Sequence, residues 1–304
     1  MRFEDLSSTW LIFAILASIL ASASSIIEKK TLFKQHALEF SATMSIYTLL
    51  LTIPFWFFAD FKALSLKATG LIYLASLLGA LAFLLIAKSL RHLAISLTSP
   101  FLVFEPMFVA IFAAVLLGER ITALQVGGMV VIIIGAYILA SYQQDNILDP
   151  FKHILKSKYL KYVFLALTLY ALDSIIDKKV LGAASDGGMG VAVWTFMPLV
   201  HFFMAVNFIL IMIIFADGFG GIEKGIKTGG WLVFAVAVLT VGYRLAQQYT
   251  VSLPGVLISL VIPIKRLSSL FSTVIGGELF HEEHILRKSI ACTIMIIGVI
   301  LVVI

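Results

Sequence analysis

Apolar residues in this chain run in long stretches separated by short polar breaks. Ten stretches approach or exceed the roughly 20 residues of helix that span a bilayer core. They are 9–27, 40–59, 69–87, 95–117, 123–141, 160–176, 191–215, 230–251, 253–277 and 286–304. None alternates with the period of two that a barrel strand shows, and their lengths suit helices. The pattern predicts an all-α integral membrane protein with ten transmembrane helices. The connections are mostly short. Only 142–159 (YQQDNILDPFKHILKSKY) is long, polar and proline-bearing, so it reads as a linker between residues 1–141 and 160–304. The first stretch, Trp10 to Ile27, lacks a basic leader and a clean cleavage site and is not read as a signal peptide.

The two parts repeat one another. Helix 1 ends SSIIEKKTL (Ser24 to Leu32) and helix 6 ends DSIIDKKVL (Asp173 to Leu181); seven of nine positions match identically or conservatively at an offset of 149. Helix 4 ends LLGERI (Leu116 to Ile121) and helix 9 ends IGGELF (Ile275 to Phe280). Pro54 corresponds to Pro198, and Pro106 to Pro263. Five helices is an odd number, so the second copy must enter the membrane upside down. That is the inverted-repeat plan of many secondary transporters, with substrate near the midplane.

Composition agrees. Hydrophobic residues make up 61% and charged ones 13%, with a mean hydropathy of +1.07. Soluble domains have roughly 45–50% and about 25%. The formal charge of +5 does not point to nucleic acid, because the basic residues sit at helix ends or inside helices, with no basic tail. The single cysteine, Cys292, precludes an intrachain disulfide. Trp10, Trp194 and Trp231 stand at span ends, as interfacial anchors do.

The run from Ala87 to Leu139 carries a Glu105-Pro106 step inside helix 4, a Leu117-Gly118-Glu119-Arg120 exit, and a small-residue helix 5 ending at Gly135. It resembles the EamA-type repeat of the drug/metabolite transporter superfamily. The second half, from about Tyr159, is similar but more degenerate: its exit is Gly277-Glu278, followed by about four extra residues. The resemblance implies two EamA-like five-helix repeats, 1–141 and 160–304, and transport rather than enzymatic activity. It leaves the substrate open, since fold does not fix function.

Charges inside hydrocarbon are costly, at about 2.5–3.5 kcal/mol for a basic residue at a helix centre, and usually functional. Arg244 in helix 8 and Lys265 with Arg266 in helix 9 are the basic ones; Glu105 in helix 4 and Asp173 in helix 6 are acidic. Aligning Glu119 with Glu278 sets Glu105 opposite Ile264, beside Lys265, and the adjacent Pro106 and Pro263 predict kinks in both helices. Two readings stand. Glu105 pairs with Lys265 or Arg266 simply to hold the halves together, or the three basic residues bind an anionic group, Arg by a planar fork and Lys as a compact charge. The segment IPIKRLSSLFS (Ile262 to Ser272) also resembles helix 9 of the triose-phosphate translocator branch, which implies phosphate binding by Lys265 and Arg266. Within the second reading, Lys265 is expected to pair with Glu105 and Arg266 to meet substrate, leaving a net positive cavity. Tyr243 and Gln247 share helix 8 with Arg244 and are further substrate-binding candidates. Glu105 is the leading proton-coupling candidate or a permanent counter-ion, and Asp173 is expected to pair with Lys178. Lys29, Lys30, Lys178 and Lys179 read as lysines reaching outward from helix ends, though their repetition raises the possibility of a cavity role.

Several motifs mislead. His281-Glu282-Glu283-His284 spaces its histidines three apart and is not a metalloprotease motif. The glycine-rich loops at Asp186–Gly190 and Gly218–Gly221 lack the strand and the Lys-Ser/Thr of a phosphate loop, and no Walker motif occurs. No cofactor is implied. Odd-numbered connections hold thirteen of the 22 Lys and Arg residues and even-numbered ones with the termini hold six, which favours both termini outside, whereas the resemblance implies both inside. The expectation is a multi-pass cell-membrane protein, monomer or homodimer. It would be an exporter or exchanger of a small anionic metabolite working by alternating access, or a proton-coupled exporter of amino acids or drug-like amphipathic compounds.

Overall fold

The computed structural model describes residues 3–62, 64–117, 122–140, 156–256 and 258–303. Among the described residues there is no strand. In lipid a backbone must satisfy its own polar groups, and helices do so within one segment. In chain order the elements are α1 (Phe3–Leu32), α2 (Ala37–Thr52) with a 3-10 turn at Ile53–Phe57, and α3 (Leu66–His92). Then come α4 (Ile95–Phe101), a 3-10 turn at Leu102–Phe104, α5 (Glu105–Leu117) and α6 (Ala123–Ala140). The rest comprises α7 (Lys158–Leu181), α8 (Val193–Phe215) and α9 (Gly218–Ser252). Last come α10 (Ile258–Lys265), α11 (Leu267–Phe271), a π turn at Ser272–Gly276, α12 (Gly277–Leu279) and α13 (Ile285–Val303).

Among the described residues, seven spans are long and apolar enough to cross a membrane: Trp10–Leu32, Ala37–Phe57, Leu66–His92, Ile95–Leu116, Lys158–Leu181, Val193–Phe215 and Gly218–Ser252. The other three expected spans correspond to α6, the broken α10–α12 and α13. The helices overrun the apolar stretches that announced them, because flanking charged residues stay helical. α1 continues past Ile27 to Leu32, and α7 past Ile176 to Leu181. α9 begins twelve residues before the expected Gly230, whose backbone (φ 52, ψ −139) breaks it into two helical pieces. Glycine takes that conformation without a Cβ penalty. Most of the expected linker (141–155) and the exit at 118–121 lie outside the described residues.

α1 packs on α9 and α3 on α7; α2 lies against α8 and α9, and α3 against α8. α5 meets α7, while α10 and α11 meet α1. α6 and α13 form a separate seam closed by glycine. A Cβ on Gly298 would stand 2.7 Å from the Gly128 carbonyl oxygen, and one on Gly135 2.5 Å from Met295 Cγ. Small residues let membrane helices approach this closely. Outside, Phe57, Val115, Phe215 and Leu286 are exposed, as lipid-facing residues are.

Polar ties close both ends of the bundle. Lys29 Nζ donates to the carbonyls of Leu90 (2.6 Å) and Leu93 (2.7 Å) where α3 ends. Lys178 Nζ donates to Val256 (2.8 Å) and Val251 (3.5 Å) where α9 ends. Lys29 thereby satisfies carbonyls that the α3 terminus leaves unpaired, and Lys178 does so for Val251 in the last turn of α9. At the Lys29 end, Glu282 also accepts from the backbone of Ile95 (2.7 Å) and Ser96 (2.9 Å), and Lys288 donates to Ser96 Oγ (2.8 Å). The histidines flanking that acidic pair, His281 (φ 52) and His284 (φ 58), hold left-handed backbone conformations.

Candidate functional site

Two broken helices bring the central charges together. Pro106 has no N–H and its ring crowds the carbonyl four residues back, at Leu102; there the chain tightens into the 3-10 turn that delivers Glu105. α10 ends at Lys265, two residues after Pro263, and Arg266 stands in the gap before α11. Glu105 and Arg266 form an ion pair, both buried. This corrects the expected partnership: Arg266, not Lys265, neutralises Glu105. Lys265 Nζ instead lies 5.8 Å from the centroid of the Tyr243 ring, within cation–π range.

A second pair joins α7 to α9. Arg244 Nη2 is 3.7 Å from Asp173 Oδ2, so the expected Asp173–Lys178 pair does not form. Lys178 binds the Val251 carbonyl at the end of α9 and the Val256 carbonyl just beyond it, and stands 3.7 Å from Asp186. Gly79 of α3 packs beside this pair; a Cβ there would stand 3.4 Å from Asp173 Oδ2, in ordinary contact.

These groups surround a cavity of about 110 Å³ in the middle of the bundle. Glu105, Asp173, Tyr243, Arg244, Gln247, Lys265 and Arg266, all named from the sequence, line it. So do three groups that sequence reasoning passed over: Glu28, Asp177 and His201. The lining therefore holds four carboxyl groups beside Arg244, Lys265 and Arg266, where basic groups were expected to outnumber acidic ones. His201 is fully buried, and neither ring nitrogen has a hydrogen-bond partner among the described residues. Nothing in the sequence distinguishes it from a core histidine.

Glu28 and Asp177 did carry a signal. They occupy the same place in the repeated SSIIEKK and DSIIDKK motifs. Positions three and four residues apart share a helix face, so Ser24 and Ser25 line the cavity with Glu28 of α1, as Asp173 and Ser174 do with Asp177 of α7. The next residue, Lys29 or Lys178, turns about 100° away and reaches the neighbouring helix end. The duplicated motif thus combines a cavity face with a helix-end cap.

Comparison with known proteins bears on this arrangement. Residues 8–141 match the EamA-like transporter family. That match covers less than half of the chain and likens its first part to EamA-like transporters. With seven apolar spans among the described residues, the chain is a multi-pass integral membrane protein. No curated protein matches. A solved structure titled only as the crystal structure of a protein is similar at a TM-score of 0.61 and 12% identity, covering 97% of this chain and 96% of its own. At that identity the likeness concerns the fold alone.

Proposed function

We propose that this EamA-type protein is a secondary active transporter with ten spans in two inverted five-helix halves, 1–141 and 160–304, joined by the linker 142–159. It works by alternating access on a small metabolite with an anionic group. The packing supports the inverted halves, because it is unchanged when each helix is exchanged for its counterpart. α1 on α9 becomes α7 on α3, α2 on α9 becomes α8 on α3, and α5 on α7 becomes α10 and α11 on α1. α2 with α8 and α6 with α13 exchange into themselves.

The observation that carries the substrate reading is the division of labour among the basic groups. Arg266 is consumed by Glu105, while Lys265 and the loosely held Arg244 face the cavity. A carboxylate or phosphate entering there meets a compact ammonium and a planar guanidinium. Glu105 serves as counter-ion to Arg266, and Tyr243 and Gln247 complete the polar wall.

A specific observation favours one form of the second reading, a proton-coupled exporter of amino acids. Glu28 Oε1 and Asp177 Oδ1 are buried without hydrogen-bond partners among the described residues, and suit a substrate ammonium. A cavity of about 110 Å³ is small beside the roughly 300–1,000 Å³ of ordinary ligand sites, which disfavours bulky amphipathic cargo.

A thermal-shift screen of purified protein against metabolite anions, cations and zwitterions, followed by uptake of the hits into proteoliposomes, tests this. Saturable, trans-stimulated uptake of negatively charged or zwitterionic solutes is expected, with the preference for a negative group lost in Lys265→Ala. Linear, unsaturable flux would sink the transporter reading. Unchanged anion preference in both Lys265→Ala and Arg244→Ala would sink the anion site.

A further inference from the structure

Glu28 and Asp177 lie toward opposite membrane surfaces. α1 ends at Leu32 beside the end of α3, where Lys29 holds Leu90 and Leu93. α7 begins at that same surface, since Ser89 Oγ donates to the Tyr159 carbonyl (2.9 Å) and the His92 and Tyr159 rings stack at 4.2 Å. From Tyr159 to Asp177 the helix climbs roughly 27 Å at 1.5 Å per residue. That is close to the thickness of a bilayer core. The two carboxyls therefore mark the two ends of one cavity, each one turn inside the lysine-capped helix ends that close it.

Their surroundings differ from those of the other two cavity carboxyls. Glu105 has Arg266 and Asp173 has Arg244. Glu28, 6% exposed, shares the cavity wall with Tyr170 on α7 and Tyr243 on α9. Asp177, 3% exposed, faces Asp173 on its own helix, Arg244 on α9 and Lys265 on α10, with Gln248 as a hydrogen-bond donor. Neither forms an ion pair among the described residues. Closing a gate over a charged, unpaired carboxylate is costly in a dry cavity. A proton removes the charge and with it the obstacle to closure. Because Glu28 and Lys29 are consecutive on one rigid helix, as are Asp177 and Lys178, a tilt that frees either cap also exposes its carboxyl to water.

We propose that Glu28 and Asp177 are a matched pair of proton-binding sites, one inside each gate, loaded from opposite sides of the membrane as the gates alternate. Each carboxylate takes a proton from water when its own gate is open and holds it through closure, and the partner site exchanges with the other compartment. This rests on the transport reading and adds coupling groups to it.

The test uses the full chain in vesicles of phosphatidylcholine and phosphatidylglycerol, with dicyclohexylcarbodiimide as the probe, because it modifies protonated carboxyls in apolar surroundings. Adducts are mapped by peptide mass spectrometry over a series from mildly acidic to mildly alkaline pH. The expected result is modification of Glu28 and Asp177, declining as pH rises, with Glu105 unmodified. With the two compartments buffered differently, Glu28 should follow the pH on the Leu90–Leu93 side and Asp177 the pH on the other. Glu28→Gln should lose only the Glu28 adduct. Modification of neither residue, yields that ignore pH, or both residues following the same compartment would overturn the proposal, and the wild-type measurements do not depend on whether a variant folds. Since the labelling needs no substrate, its failure removes the proton sites and leaves the transport reading standing. Absence of uptake across the solute panel with labelling intact removes the transport reading instead.

Discussion

The end of α1 and the end of α7 are built from nearly the same nine residues and make the same kind of contact, yet they carry different chemistry. In both, a lysine caps a neighbouring helix and a carboxyl one residue earlier faces the cavity. The difference lies at the first motif position. Ser24 shares a hydrogen bond of 3.2 Å with Thr240, whereas Asp173 holds Arg244. One end keeps a neutral contact where the other keeps an ion pair. The two ends share a sequence framework, and the residue at its first position sets whether the polar partner is Thr240 or Arg244.

The largest effect expected from separating these roles comes from the ion pair. Asp173→Asn leaves Arg244 buried without its counter-charge, and breaking a buried pair by removing one partner costs about 3–5 kcal/mol. Ser24→Ala, at the matching position, loses one neutral hydrogen bond, worth about 0.5–1.5 kcal/mol. Thermal unfolding followed by size-exclusion fluorescence should rank the two variants in that order. Equal losses would mean that the pair at α7 contributes nothing beyond the hydroxyl contact at α1.

A middle-sized effect separates the two caps. Lys29→Met removes two short charged hydrogen bonds, and Lys178→Met removes one short and one long one. Each charged hydrogen bond contributes about 1.5–3 kcal/mol, so Lys29→Met should be the more destabilising by the same assay. The reverse order would show that the Glu282 and Lys288 ties carry the α1 end without Lys29.

The smallest effect is a pH response confined to the α7 end. Asp186 accepts from the Gly255 backbone N–H (2.9 Å) and from Ser185 Oγ (3.1 Å), with Lys178 3.7 Å away. The Gly255 bond first, then Ser185 and Lys178, hold its carboxyl below the usual aspartate range. A depressed carboxyl stabilises the fold above its ordinary value and loses that contribution as pH falls through the depressed one. Asp186→Asn should flatten the acid limb of the stability curve slightly and leave neutral stability nearly unchanged. An unaltered acid limb would detach Asp186 from the closure of this end.

Much of the fold could be read from apolar length and proline position, because lipid imposes both. The break before Pro106 fell where a missing backbone donor puts it, whereas α10 runs on past Pro263 and breaks at Arg266. The site was less legible. Glu28 and Asp177 sit just past Ile27 and Ile176, where the apolar runs end, and so read as interfacial. The helices in fact continue and carry both residues inside. Which of Lys265 and Arg266 meets Glu105 depends on the backbone at Arg266 (φ −72, ψ −7), which departs from the α-helical ψ of its neighbours. Residue order along the chain does not encode that turn. Glu105 pairing also depends on contacts across more than 150 residues, for which a single sequence offers only the repeat as a guide.

The glycine seam between α6 and α13 has a mechanical consequence. Its helices are far apart in sequence, and their backbones approach at Gly298 and Gly128 with no side chain between them. Surfaces that interlock this tightly resist sliding but still permit a small rotation about the line of contact. Were the two sides of the bundle to move against each other, as the transport reading requires, this seam would be the natural axle. A methyl group at residue 298, facing a carbonyl 2.7 Å away, would pry the axle apart while leaving every charged group in the distant cavity chemically intact.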